Sequence, residues 1–251
     1  MPTFAATMNP FFQDYTTAYG TIPFGKLKNE HYVPAIHQGI TDAKAEIDAI
    51  VHTNDTPTFE NVIVALENSG ELLTKVTSAF FNLNSAETSD EMQEIAQEIS
   101  PLLSAHGNDI AMNAGLFAKV KEVFDQGFDG LTPEQKTLLE NAYKGFTRNG
   151  ANLNDTDKEK LREIDARKAK LSLIFGERVL KESNAFEMLI TDENDLDGLP
   201  EGIREAAQGM ATAKEKGGWL FTLDYPSYIP FVTYSTRREL REKMYKAFSS
   251  K

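Results

Sequence analysis

The sequence predicts a mostly α protein, a multi-helix bundle with a small two-stranded β element near the C-terminus. Three observations predict it. Apolar residues return at every third or fourth position through most of the stretch from Pro34 to Ser183, the period of one helix face. Hydroxyl residues stand just ahead of several of those runs, where a helix needs its free amides satisfied. Beyond Phe186 the pattern changes to short aromatic and β-branched runs bounded by glycine and proline, which is how strands read.

Taken in order, residues 1 to 28 hold Pro2, Pro10 and Pro23 among Phe4, Phe11, Phe12, Tyr15, Tyr19 and Phe24. Prolines forbid a long helix there, so an extended N-terminal arm is expected, anchored by its rings. The remainder, 29 to 251, is expected to form one helical lobe. Its first helix is expected from Pro34, whose missing amide costs nothing in a first turn, with Ile36, Ile40, Ala43, Ile47 and Ile50 as its inner stripe. A second follows Thr58, carrying Val62, Leu66, Leu73, Val76 and Phe80 on one face. A third follows Thr88 and Ser89 through Met92, Ile95, Ile99 and Leu103, and Pro101 is expected to kink or split it. Leu116, Val120 and Phe124 mark a short fourth.

The run Thr132, Pro133, Glu134, Gln135 combines a capping hydroxyl, a first-turn proline, an acid at the dipole's positive end and a glutamine that closes the box. Leu138, Leu139, Ala142 and Phe146 follow, and Gly150 is the expected stop. The longest helix is expected from Asn154 to Ser183, with Leu161, Ile164, Leu171, Ile174, Phe175 and Val179 as its seam. Phe186 to Thr191 and Trp219 to Leu223 read as strands, flanking a helix opened by Leu199 and Pro200 and ended at Gly217 and Gly218. Spacing leaves open whether they pair with each other. Tyr225 to Tyr234 is too aromatic for a solvated loop and reads as a short helix or turn. Thr236 and Glu239 then form a capping box for a last helix through Leu240, Met244 and Phe248. The chain stops soon after, which reads as a domain that continues further.

Composition limits the chemistry. With 251 residues and no cysteine, thiol nucleophiles and Cys-ligated zinc or iron–sulfur clusters are excluded. The 26 Lys plus Arg against 38 Asp plus Glu give a net charge of −12, so no nucleic-acid partner is expected, since polyanion binding needs clustered cations. The start, MPTFAATMNPFFQDY, lacks a basic, apolar leader, and no stretch approaches the ~20 apolar residues that span a bilayer; no membrane partner and a cytoplasmic location are expected.

No reaction centre is legible. No two of His31, His37, His52 and His106 stand four apart, so H-E-x-x-H is missing; Glu30 and His31 end a partial H-x-x-E-H whose first position is Leu27. E-x-x-H also fails, because Lys28, Pro34, Ala49 and Leu103 precede the histidines by three. G-x-S-x-G, the P-loop and G-x-G-x-x-G are absent from the sequence. Acid pairs such as Glu193 with Asp195 and Glu239 with Glu242 read as surface residues in so acidic a chain. His106 reads as a hydrogen-bonded packing residue, and Arg237, Arg238, Arg241 and Lys243, alternating with glutamates, as a salt-bridged helix face.

Several stretches in order resemble the thimet oligopeptidase family of zinc metallopeptidases, in its peptidyl-dipeptidase and oligopeptidase branch. They are MNPFF (Met8 to Phe12), NEHYVPAI (Asn29 to Ile36), FENVIVALENSGELL (Phe59 to Leu73), NDI (Asn108 to Ile110), GLFAKV (Gly115 to Val120), DLDGLP (Asp195 to Pro200), WLFTLDYPSY (Trp219 to Tyr228) and RRELRE (Arg237 to Glu242). The resemblance implies the N-terminal lobe of a larger two-lobed peptidase whose channel admits short peptides, with C-terminal dipeptides as the expected product. It implies zinc in the parent enzyme, held by an H-E-x-x-H motif outside this chain, and a catalytic lobe elsewhere as the partner of this one. No catalytic, cofactor-binding or metal residue is therefore assigned here, the substrate residues are unassigned, and this segment alone is expected to be inactive. A free-standing helical interaction module, using the aromatic surface from Tyr225 to Tyr234, is the alternative.

Overall fold

A computed structural model describes residues 9 to 251. Pro2, Phe4 and Met8, which the sequence assigns to the arm and to the first motif, lie outside the described residues. The chain divides into two compact units, one ending at Leu171 and the other running Ser172–Lys251.

In the first unit, residues 9 to 28 form a series of single 3-10 turns at Pro10–Phe12, Ala18–Gly20 and Phe24–Lys26. The Asn9 side chain caps the first of them, accepting from the Phe11 amide at 3.1 Å and donating to the His31 carbonyl at 2.8 Å. Phe11 is buried against Tyr32, but Tyr19 and Phe24 are exposed, so only some of the expected ring anchors are made.

Helix α1 is Tyr32–His52, starting two residues before Pro34, which falls within its first turn. Ala35, Ile36, Ala43, Ile47 and Ile50 are buried along it. The expected second helix is broken. A π-helical turn at Phe59–Val64 leads into α2, Ala65–Glu67, and only after a turn does α3, Glu71–Ala86, begin. Gly70 makes that turn at φ 72°, a left-handed backbone that side chains resist, and its amide is held by Glu46 Oε2 at 2.7 Å. The apolar stripe from Val62 to Phe80 keeps helical phase across the break, which hides it from periodicity. α3 crosses α1 closely: a Cβ on Gly39 would lie 2.9 Å from the Leu73 backbone.

Helix α4, Asp90–Ala111, is capped by Ser89 and runs through Pro101 without splitting. α5 is Ala114–Asp125, capped by Asn113. α6 is Pro133–Arg148, and its capping box forms as expected: Thr132 N–H donates to Gln135 Oε1 at 2.9 Å, and Gln135 N–H to Thr132 Oγ1 at 3.3 Å. The main core joins Ile47, Ile50, Val62, Ile63, Leu116, Val120, Leu139 and Phe146, so α1, the π turn, α5 and α6 share one apolar centre.

Helix α7, Asp155–Ala185, begins where expected, with Asn154 Oδ1 accepting from the Asp157 amide at 3.0 Å. Its seam is corrected: no residue of α7 is buried, and Ile164, Leu171 and Phe175 are more than half exposed. Amphipathic spacing chooses a helix face; it does not supply a neighbour to cover it.

In the second unit, β1 (Met188–Ile190) pairs antiparallel with β2 (Trp219–Phe221), Leu189 opposite Leu220, which answers the pairing question. α8, Glu201–Ala213, packs on the ribbon and ends before Gly217. α9, Tyr225–Tyr234, takes Pro226 in its first turn and carries Pro230 inside. α10 is Arg238–Ser249. Its expected Thr236/Glu239 box does not form, because Thr236 Oγ1 donates instead to Asp197 Oδ2 at 2.6 Å and its amide to the Asp197 carbonyl at 3.0 Å. Met188, Ile190, Leu196, Ala207, Phe221, Phe231 and Met244 form the core of this unit.

Candidate functional site

The first unit carries an open groove of about 490 Å³. One wall is a face of α1, with Glu46, Ala49, Ile50 and Thr53; the other is built by Asn61 of the π turn, Ala65 of α2, and Asn68 and Ser69 of the turn before α3. A π turn widens a helix by one residue per turn and is a frequent feature of functional sites. Here it is pinned at its start: Thr58 N–H donates to Asn61 Oδ1 at 2.7 Å, and Asn61 Nδ2 to the Thr56 carbonyl at 3.0 Å. Around the rim, Lys119 Nζ donates to the Thr53 carbonyl at 2.9 Å and Gln126 Nε2 to the Pro57 carbonyl at 2.9 Å. Most polar groups of the groove thus serve the local fold. The arrangement suits holding a chain segment, since it pairs no nucleophile with a base.

In the second unit a smaller apolar hollow of about 80 Å³ lies between α8 and the start of α9, lined by Ile203, Ala207, Met210, Phe221 and Pro226. The aromatic run sorts by face: Tyr228 and Phe231 are buried, with Tyr228 stacked on Phe248 at 4.0 Å, while Tyr225, Ile229 and Tyr234 are exposed.

The residues weighed for chemistry are dispersed. His31 Nδ1 accepts from the Lys28 amide at 3.0 Å, His52 Nδ1 lies 2.8 Å from the Asp48 carbonyl, and His37 is exposed. Among the described residues, no group of three or more His, Asp and Glu is placed to hold a metal ion. Asp195 binds Arg237 at 2.7 Å, and Glu242 binds Lys246 at 2.5 Å. The basic run meets its own glutamates only in part: Glu242 is held below the usual glutamate range first by Lys246 and also by the Arg238 charge, while Arg237 reaches back to Asp195 and Arg241 Nε is buried without an acceptor.

His106 is buried as expected, but its Nδ1 has no hydrogen-bond partner. Burial, with the nearby Lys44 charge, pushes its pKa below the ordinary histidine value, against an opposing pull from Asp109. Asp109 itself bridges Lys44 at 3.0 Å and Arg162 at 2.8 Å. Burial raises its pKa, but hydrogen bonds from Lys44 and Arg162 and their charges outweigh that and hold it below the usual aspartate range. Sequence spacing could place His106 and Asp109 on one face of α4; nothing in it points to Lys44 or Arg162.

Comparison with known proteins adds what geometry does not. No protein-family profile matches the chain. It is 33% identical over 236 residues to oligopeptidase A of Salmonella typhimurium and 37% identical over 243 residues to dipeptidyl carboxypeptidase of Escherichia coli. The chain is homologous to these peptidases. The match takes in 94% and 95% of the chain, and a more distant one, 27% identical to a probable cytosolic oligopeptidase A of Arabidopsis thaliana, takes in 97%. The kinship with the thimet oligopeptidase family expected from the motifs is thereby found along nearly the whole chain. The chain spans about a third of the length of the curated relatives it matches, 35% in each of these three. Among the described residues no helix is long and apolar enough to cross a membrane.

Proposed function

We propose that this chain is the N-terminal, substrate-channel lobe of a larger peptidase that hydrolyses short peptides, releasing dipeptides from their C-termini. The observation that carries the reading is identity of 33% and 37% along nearly the whole chain to two bacterial peptidases, each about three times its length. Two compact helical units with an open groove, and side chains committed to the fold, suit walls that shape access. The bond-breaking centre, with its zinc, is then supplied by the rest of the parent enzyme. A net charge of −12 biases entry toward cationic peptides by long-range attraction.

The test compares the full reading frame with residues 1 to 251 alone. The longer protein is expected to bind zinc stoichiometrically and to cleave short peptides with a free C-terminus, leaving C-terminally amidated ones intact; the shorter one is expected to do neither. Cleavage of amidated peptides at internal bonds would replace dipeptide release with oligopeptidase action. Zinc bound one-to-one by the 251-residue chain would overturn the division of labour. The exposed Tyr225, Ile229 and Tyr234 keep a second reading in play, an interaction surface without catalysis. A full-length protein that neither binds zinc nor cleaves peptides would favour it.

A further inference from the structure

Inside the first unit, three helices meet at one carboxylate. Asp109 of α4 takes Lys44 of α1 on one oxygen and Arg162 of α7 on the other. One turn earlier on the same face of α4 stands His106, 6% exposed, with Nδ1 unpartnered and almost no contact with water. Lys44 and Asp109 act on the ring directly, and Arg162 acts through Asp109. Two cations already face one anion at this junction.

We propose that His106 is an acid-sensitive pin of the junction between α1, α4 and the start of α7: uncharged it packs there, and protonated it loosens the three helices. A proton added to the ring would place a third positive charge beside a single carboxylate and turn the orphaned Nδ1 into a buried N–H with no acceptor. Both effects favour an opened junction, in which the imidazolium reaches water. The sign comes from linkage. The ring binds its proton more weakly folded than unfolded, so stability is complete above the ordinary histidine pKa of ~6.5 and declines as pH falls from there toward the lowered folded value. Asp109 is held below the usual aspartate range, so it stays charged between pH 8 and pH 5. This inference does not depend on the peptidase reading.

The experiment follows the 251-residue chain by NMR from pH 8 to pH 5, recording the four imidazoles and amide exchange together. His106 is expected to titrate below ~6.5. Amides of α4 near His106 and of α7 near Arg162 should lose protection severalfold, after correction for intrinsic exchange, over the same pH range. His106→Gln, neutral at every pH, should abolish that step. Lys44→Gln removes one opposing cation, should raise the His106 midpoint and shrink the step, and remains informative if the His106→Gln variant does not fold. A His106 midpoint at or above ~6.5 in the unaltered chain, or an undiminished step in His106→Gln, would overturn the proposal.

Discussion

The two units solve the same folding problem differently. Through Leu171 the chain carries 15 Lys plus Arg and 25 Asp plus Glu, and its core is a set of apolar stripes on long helices. From Ser172 onward the charges are 11 and 13, and the core gathers short elements held by contacts far apart in sequence. The first is built from local periodicity and then stapled by charge. The second depends on a few close approaches: β1 on β2, Asp197 on Thr236, and Phe221 on Phe231 at 4.7 Å. Disturbing one such approach should cost more than disturbing one helical stripe.

The sharpest way to break that contrast is Gly198→Val. Gly198 has φ 85°, and a Cβ there would lie 2.2 Å from the Tyr234 carbonyl oxygen, a backbone atom that cannot step aside. Backbone strain and overlap together should cost more than about 4 kcal/mol. Amide exchange is expected to show α8 to α10 unprotected while α1 to α6 stay protected; equal loss in both would mean that the two units unfold as one. Phe231→Ala comes next. Phe231 is fully buried, so its loss should cost about 3 to 5 kcal/mol in urea or thermal unfolding. Gly39→Ala is the counterpart in the first unit, where the added methyl meets the Leu73 backbone at 2.9 Å. Two straight helices can slide apart slightly, so the expected loss is smaller, about 1 to 3 kcal/mol.

The same contrast explains what the sequence reveals. Helices whose starts are written in neighbouring residues, such as the Thr132 box, Ser89 before α4 and Asn154 before α7, are legible because cap and amide lie three positions apart. Thr236 misleads because it has two partners to choose from: Glu239 nearby, and Asp197, 39 positions back, which only the fold brings into reach. The α7 seam misleads for a related reason, since Ile164 and Phe175 keep helical spacing whether or not anything covers them. Of the candidate site, little is written locally. The groove needs α1 beside the π turn, and the junction at Asp109 needs Lys44 and Arg162 from two other helices. Function is legible only through ordered family motifs, because no local residue pattern in this stretch spells out a reaction centre.

Two smaller effects sharpen the comparison. Thr132→Ala removes one of the two reciprocal bonds at the start of α6 and should cost about 1 kcal/mol, read as a lower unfolding midpoint. Asp109→Asn tests how far a charge staple matters in the first unit. Its side chain is 42% exposed, so solvent screens both ion pairs and the loss at neutral pH should fall below about 1 kcal/mol. The pH dependence is the stronger signature. Because the folded pKa of Asp109 is lowered, its contribution is present above the unfolded aspartate value of ~3.9 and is lost as pH falls through the folded one. In a His106→Gln background, which removes the ring coupled to this carboxylate, the stability difference made by Asp109→Asn should therefore be constant from pH 7 to about pH 5 and close toward zero in stronger acid. Glu187, clipped by Lys214 and Lys216, offers the matching charge in the second unit. Its lysines lie two residues apart just beyond the end of α8 and join no third helix, so Glu187→Gln should shift the unfolding midpoint less than Asp109→Asn. An equal or larger shift would place the charge staples of the two units on the same footing and remove the distinction drawn between them.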